Sequence, residues 1–126
     1  MTNGGNGGRV LVVEDDEETR VSLVDLIRSE VSELDVVAAG NGYDALQLLL
    51  DGLEPSLIVL DLMMPEMDGF EFLKCLDMVH EFPPAVIIIT GRSEAPGGLT
   101  HPAVKAHFGK PFSPDVVLAA IRQHCS

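Results

Sequence analysis

The sequence predicts a doubly wound α/β sandwich, a five-stranded parallel sheet with helices on both faces. Three observations predict it. Short apolar runs recur at 10–13, 57–60 and 86–89, and none alternates with polar residues, so both faces of each strand must be covered. Between the runs lie segments whose apolar residues fall three or four apart, the spacing of one helix face. Each run also ends on a polar group: Glu14 and Asp15 after the first, Asp61 after the second, Thr90 after the third, with a further segment, 104–108, leading into Lys110-Pro111.

Taken in order, a Gly/Asn-rich tail at 1–8 has no apolar core, is neither a signal nor a transit peptide, and is expected to be flexible. The first strand, 10–13, is followed by a helix carrying Leu23, Ile27 and Val31. A second strand fits 35–39, after which Asn41 can cap a helix carrying Leu46, Leu49 and Leu53 by accepting a backbone N–H bond. The third strand, 57–60, precedes a helix with Phe72, Leu76 and Val79. After the fourth strand, 86–89, a helix is due. There 92–102 holds Pro96, Gly97, Gly98 and Pro102. In a helix interior Pro costs about 3 and Gly about 1 kcal/mol, so an irregular or shortened fourth helix is expected. The fifth strand, 104–108, leads to Ser113-Pro114, a cap and a first-turn proline, and to a last helix with Val117 and Ile121. Residues 9–126 form one domain of five βα units without internal repeats.

The chain of 126 residues carries a formal charge of −12, which opposes direct nucleic-acid binding because that affinity comes mainly from Lys and Arg neutralising phosphates. No apolar stretch approaches the twenty or so residues of a membrane span. Cys75 and Cys125 have no metal-ligand or CxxC spacing, so reduced thiols and a cytoplasmic location are expected, with Cys75 among helical core positions.

If the strands take the flavodoxin-like order 2-1-3-4-5, the first and third are neighbours and Glu14 and Asp15 come to lie beside Asp61 at the carboxyl edge, where ligands bind in such sheets. Two carboxylates about 4 Å apart repel by roughly 4 kcal/mol at an effective dielectric of 20, so the trio calls for a cation. An open, all-oxygen site suits Mg²⁺, which keeps several waters and recruits phosphate oxygens. A carboxylate can also act as a nucleophile toward phosphorus. Asp61 stands alone at its strand end and is the best candidate, while Glu14 and Asp15 can hold the metal from one side. The Lys110 ammonium and the Thr90 hydroxyl can balance and contact the transferred group.

The stretches VLVVEDDEETR, LIVLDLMMPEMDGFEFL, VIIITG and GKPF, in this order, resemble the response regulator receiver domain of two-component phosphorelays, from Arg9 to about Cys125. The resemblance implies that Asp61 is the phosphoacceptor and that Asp15, Asp61 and the Met63 carbonyl are direct Mg²⁺ ligands. It implies Glu14 as a water-mediated partner of the metal, Thr90 as the switch hydroxyl, and Lys110 as the lysine contacting the phosphoryl group, with Lys110-Pro111 cis. His107 stands where the family usually has Tyr or Phe, the side chain that swings inward with the threonine. The span from Thr90 to Lys110 is slightly shorter than usual, and it contains the broken segment. The implied partner is a histidine kinase or histidine phosphotransfer protein; dimerisation is left open.

Singly, each motif has a plainer reading. The acids at 14–18 could favour a helix start through the macrodipole, Asp68-Gly69 reads as a loop turn, and Thr90 as a strand-end hydroxyl. Lys110 reads alone as a solvated lysine before a turn, and His107 as a satisfied, partly buried histidine. Their conjunction carries the expectation of a phosphorylatable switch that is not itself an enzyme beyond its own phosphorylation and dephosphorylation. The alternative is a receiver-like interaction module working without phosphate, whose mark would be loss of a site residue, and none is lost. A phosphatase would need an acid close after Asp61, where Leu62 and Met63 stand, and a flavin binder would need hydroxyls where the first strand ends in acids. The last helix reaches Cys125 one residue before the chain stops, which fits a stand-alone receiver or one cut from a longer protein. Met1 and the tail favour a natural start.

Overall fold

The unbroken apolar runs become the strands of one parallel sheet because alternate residues in them serve opposite layers. In the computed structural model, which describes residues 8–91 and 101–125, the strands are β1 (Arg9–Val13), β2 (Asp35–Ala39), β3 (Leu57–Leu60), β4 (Ala85–Thr90) and β5 (Val104–Gly109). The helices are α1 (Glu17–Glu30), α2 (Gly42–Leu50), α3 (Gly69–Val79) and α4 (Pro114–Cys125). All neighbouring strands pair parallel in the order β2-β1-β3-β4-β5, the predicted order. Val10, Val12, Leu57, Val59, Ile87 and Ile89 pack on one face with Leu23 and Ile27 of α1 and Val117 and Ile121 of α4. Leu11, Val13, Ile58, Leu60, Val86 and Ile88 pack on the other with Ala45 and Leu49 of α2 and Phe72 and Leu76 of α3. Most of these side chains are wholly buried, and burying one Leu, Ile or Phe stabilises by roughly 1.5–3 kcal/mol.

The expected irregular fourth helix falls at 92–102, and 92–100 lies outside the described residues, as does nearly all of the tail expected at 1–8. Two readings of the sequence change. Leu53 does not continue α2. Gly52 adopts φ 112°, a left-handed conformation suited to glycine, and the N–H groups of Gly52 and Leu53 turn back to the carbonyls of Leu49 and Leu48 at 3.2 and 3.0 Å, the Schellman closure of a helix. Leu53 still packs against the α2–α3 layer, which explains why its spacing mimics a helical position. Asp68-Gly69 is likewise no free loop turn. Asp68 caps α3 in a reciprocal capping box with Glu71, and Gly69 is the first helical residue.

Asn41 caps α2 as expected, taking the Asp44 N–H at 2.7 Å. Ser113 directly precedes α4, and its carbonyl accepts the Val117 N–H at 3.2 Å. Cys125 is buried and Cys75 half-buried, both as free thiols. Among the described residues no helix is long and apolar enough to cross a membrane.

β5 departs from regular pairing. Val86 pairs with Val104 but Ile87 with Ala106, so Lys105 is an extra residue, a bulge. The side-chain period of a strand is two, and the bulge resets it. Val104 packs with the α2–α3 layer, whereas Ala106 and Phe108 pack with the α1–α4 layer. His107 therefore lies opposite Ile88, on the face that also carries Thr90.

A candidate phosphoryl-acceptor site at the carboxyl edge of the sheet

The polar residues at the strand ends meet because the ladder runs one step past each strand. The Glu14 N–H reaches the Ala39 carbonyl at 3.1 Å and the Asp61 N–H reaches the Val13 carbonyl at 3.1 Å. These bonds fix the two backbones side by side. Carboxylate oxygens of Glu14, Asp15 and Asp61 all fall within 4.8 Å of one another. Glu14 and Asp61 are 1% and 4% exposed, while Asp15 is open to solvent.

Lys110 completes the cluster from the far side of the chain. Its N–H donates to the Thr90 carbonyl at 2.8 Å, aligning the residue after β5 with the end of β4. Its Nζ then reaches Glu14 Oε1 at 2.8 Å and Asp61 Oδ2 at 3.4 Å. The peptide bond that follows, Lys110-Pro111, is cis. Met63 is half exposed and gives its backbone N–H to Asp61 Oδ1 at 3.0 Å, which fixes the rotation of that carboxylate. Thr90 is wholly buried at the β4 end. His107 is half-buried as expected but is not satisfied as the plain reading had it: its Nε2 is buried without a hydrogen-bond partner among the described residues.

Burial raises the Glu14 carboxyl to about 7. The bond from Lys110 and the Asp16 N–H at 3.1 Å hold it down, the nearby Asp61 charge pushes it up further, and the lost hydration outweighs the two bonds. For Lys110, burial alone would lower the pKa, but the bond to Glu14 and the charges of Asp61 and Glu14 carry it above its ordinary value. Three carboxylates around one ammonium leave the pocket negative. An oxygen-only donor set of this size fits a small, hard divalent cation such as Mg²⁺.

The structure thus brings Glu14, Asp15, Asp61, the Met63 N–H and Lys110 together, with Thr90 at the end of β4 and His107 of β5 on the same face of the sheet. Sequence reasoning missed the residues that hold them. Asp16 caps α1, accepting from the Thr19 N–H at 2.9 Å and its hydroxyl at 2.7 Å, and these two bonds lower its pKa. Asp68 and Glu71 stand three apart in the capping-box pattern, a signal that was there to be read. Gly69 had a fainter one. A Cβ there would lie 2.5 Å from Leu62 Cδ2, 2.8 Å from Leu62 Cα and 3.2 Å from the Asp61 carbonyl. Its N–H bonds to the Leu62 carbonyl at 3.1 Å, so the start of α3 is drawn against the Asp61-Leu62 backbone. Glu66, in the same loop, adopts φ 67°, uncommon for a residue with a side chain.

A family model described as the response regulator receiver domain matches residues 10–122. The transcriptional regulatory protein FlgR of Helicobacter pylori is 35% identical over 115 residues, covering 90% of this chain and 28% of that protein. For CpxR of Escherichia coli the figures are 34% over 116 residues, 90% and 47%. The chain spans less than half the length of both relatives. Among solved structures, the receiver domain of the Francisella response regulator 1452 superposes with a TM-score of 0.79 at 25% identity, covering 92% of this chain and 94% of that one. A CheY-like receiver domain protein from Methanospirillum hungatei does so at 0.75 and 25%, covering 89% of each.

Proposed function

This chain belongs to the response regulator receiver domain family, and we propose that it works as a phosphorylatable switch of a two-component system. In this reading Asp61 accepts a phosphoryl group from a histidine kinase or histidine phosphotransfer protein. A carboxylate oxygen of Asp61 attacks phosphorus, the P–N bond to the donor imidazole breaks, and the electron pair leaves on the ring nitrogen. The observation that supports it most is the reach of Lys110 to both Glu14 and Asp61, which gathers a nucleophile, acids and a fixed cation from three strand ends.

Asp15, Asp61 and the Met63 carbonyl would hold Mg²⁺ directly, and Glu14 through water. When bound, the ion supplies the positive charge that phosphoryl transfer needs on the equatorial oxygens. The protein's own part is positional. Met63 N–H holds the Asp61 carboxylate, Lys110 offers an ammonium that can pass from Glu14 to a phosphate oxygen, and Thr90 offers a hydroxyl at the end of β4. Loss of the Lys110–Glu14 contact and a shift of Thr90 with His107 would carry the change to a partner-binding surface. In this reading the domain itself catalyses only its own phosphorylation and dephosphorylation, acts in the cytoplasm, and, with the chain's formal charge of −12, does not hold nucleic acid itself.

The phosphate-independent interaction module is the second reading, and His107, standing where the family usually has Tyr or Phe and with a buried Nε2 that has no partner among the described residues, is the observation that favours it. Acetyl phosphate with Mg²⁺ decides between them. Under the first reading the intact mass rises by about 80 Da, the gain is lost in mild base as for an acyl phosphate, and Asp61→Asn abolishes it. Equal labelling of the Asn variant would overturn the assignment of Asp61, and no labelling of the wild type would favour the second reading.

A further inference from the structure

Arg20 is a cation in the first turns of α1, where the helix macrodipole favours acids, so its place needs a local cause. The cause lies in the loop before the helix. Its Nη1 donates to the Glu14 carbonyl at 2.9 Å and reaches the Asp15 carbonyl at 3.5 Å, the backbone oxygens of two of the clustered acids. The guanidinium lies over Gly40, just past β2. A Cβ on Gly40 would come within 3.2 Å of Nη1 and 3.7 Å of Cζ, and among the described residues, its chain neighbours apart, no other heavy atom lies within 4 Å. Gly40 thus leaves the space that Arg20 fills.

We propose that Arg20, seated on Gly40, is a positioning residue of the acidic pocket: it ties the β1–α1 turn at Glu14 and Asp15 so that their carboxylates converge with Asp61. The inference rests on the reading of this pocket as a Mg²⁺-dependent phosphoryl acceptor. It makes a prediction opposite in sign to simple electrostatics. Removing a positive charge beside a cation site should tighten Mg²⁺, whereas releasing the turn that aims one direct ligand, Asp15, and one water-mediated partner, Glu14, should weaken it.

The test is calorimetric titration with MgCl₂ of the wild type, Arg20→Ala, Gly40→Ala, the double variant and Arg28→Ala, beside their urea unfolding midpoints. Arg28 is a control. It also lies on α1 and donates to a carbonyl, that of Val36 at 3.2 Å, away from the pocket. Arg20→Ala is expected to weaken Mg²⁺ about tenfold, the low end for losing a group that orients metal ligands. Gly40→Ala should weaken it less, the double variant no more than Arg20→Ala because both act through one contact, and Arg28→Ala not at all. Unchanged or tighter Mg²⁺ in Arg20→Ala overturns the proposal. Should that variant not fold, Arg20→Lys and Gly40→Ala decide in its place: weaker binding in both supports it, and wild-type affinity in both overturns it. A wild type that neither binds Mg²⁺ nor gains mass from acetyl phosphate defeats the underlying reading, whereas a labelled wild type with unweakened variants defeats the role of Arg20 alone.

Discussion

The ammonium of Lys110 lies closer to Glu14 than to Asp61, 2.8 Å against 3.4 Å, although Glu14 is 96 residues away in sequence and Asp61 only 49. The lysine is bonded to the most deeply buried acid of the cluster and stays within reach of the proposed phosphoacceptor.

That placement separates two variants by their effect on metal. Asp15→Ala removes one of few proposed direct ligands and should weaken Mg²⁺ strongly. Lys110→Ala removes a charge that opposes the cation and frees Glu14, so Mg²⁺ affinity should hold or rise while phosphorylated protein fails to switch. Calorimetry on the two variants checks this; equal losses would count against both roles.

Glu14 should give stability a pH dependence of definite sign. Its folded pKa of about 7 exceeds the ordinary glutamate value of 4.5, so the folded state holds the proton more tightly. Its contribution is fully present below pH 4.5 and is lost as pH rises through 7. Without added Mg²⁺, urea unfolding should show wild type losing stability across that window relative to Glu14→Gln, by on the order of 3 kcal/mol at most. Mg²⁺ affinity should rise over the same range, because binding expels the proton.

Gly69→Ala should be costly where Gly42→Ala is mild. At Gly69 the new methyl meets Leu62 Cα at 2.8 Å, which is backbone, whereas at Gly42 it meets the Met67 sulfur at 2.8 Å, the flexible part of a side chain. We expect about 1–3 kcal/mol lost at Gly69 by denaturant unfolding, with slower acetyl-phosphate labelling because the Asp61 carbonyl lies against the same spot. A larger loss at Gly42 would reverse the assignment.

Asp68→Ala should remove one half of the α3 capping box and cost about 1 kcal/mol, with Glu71→Ala costing less. Denaturant midpoints measure both, and a stability unchanged in Asp68→Ala would mean that the capping bonds contribute nothing.

The strands were legible from local signals, and the meeting of Glu14, Asp15, Asp61 and Lys110 followed once they were laid in the flavodoxin-like order. An unbroken apolar run needs cover on two faces, and parallel strands deliver their carboxyl ends to one edge. The supports of the site were not legible for the opposite reason. Arg20 over Gly40 and Gly69 against Leu62 are contacts between elements whose approach is settled only when the layers pack. Leu53 was misplaced because a Schellman turn returns the chain to the layer at a helix-like interval. Asp68-Gly69 was read as a turn although Glu71, three residues after Asp68, marked it as a helix start.

The bulge at Lys105 makes β5 tolerant of a change in chain length at one position. Deleting Lys105 would close the bulge and leave Ala106, His107 and Phe108 opposite Ile87, Ile88 and Ile89, each facing the layer it faces now. Deleting Ala106 instead would draw the lysine into the slot that Ala106 fills against the α1–α4 layer. Natural variants of this strand that differ in length should therefore gain or lose their residue at Lys105, and the spacing from His107 to Lys110 should stay constant among them.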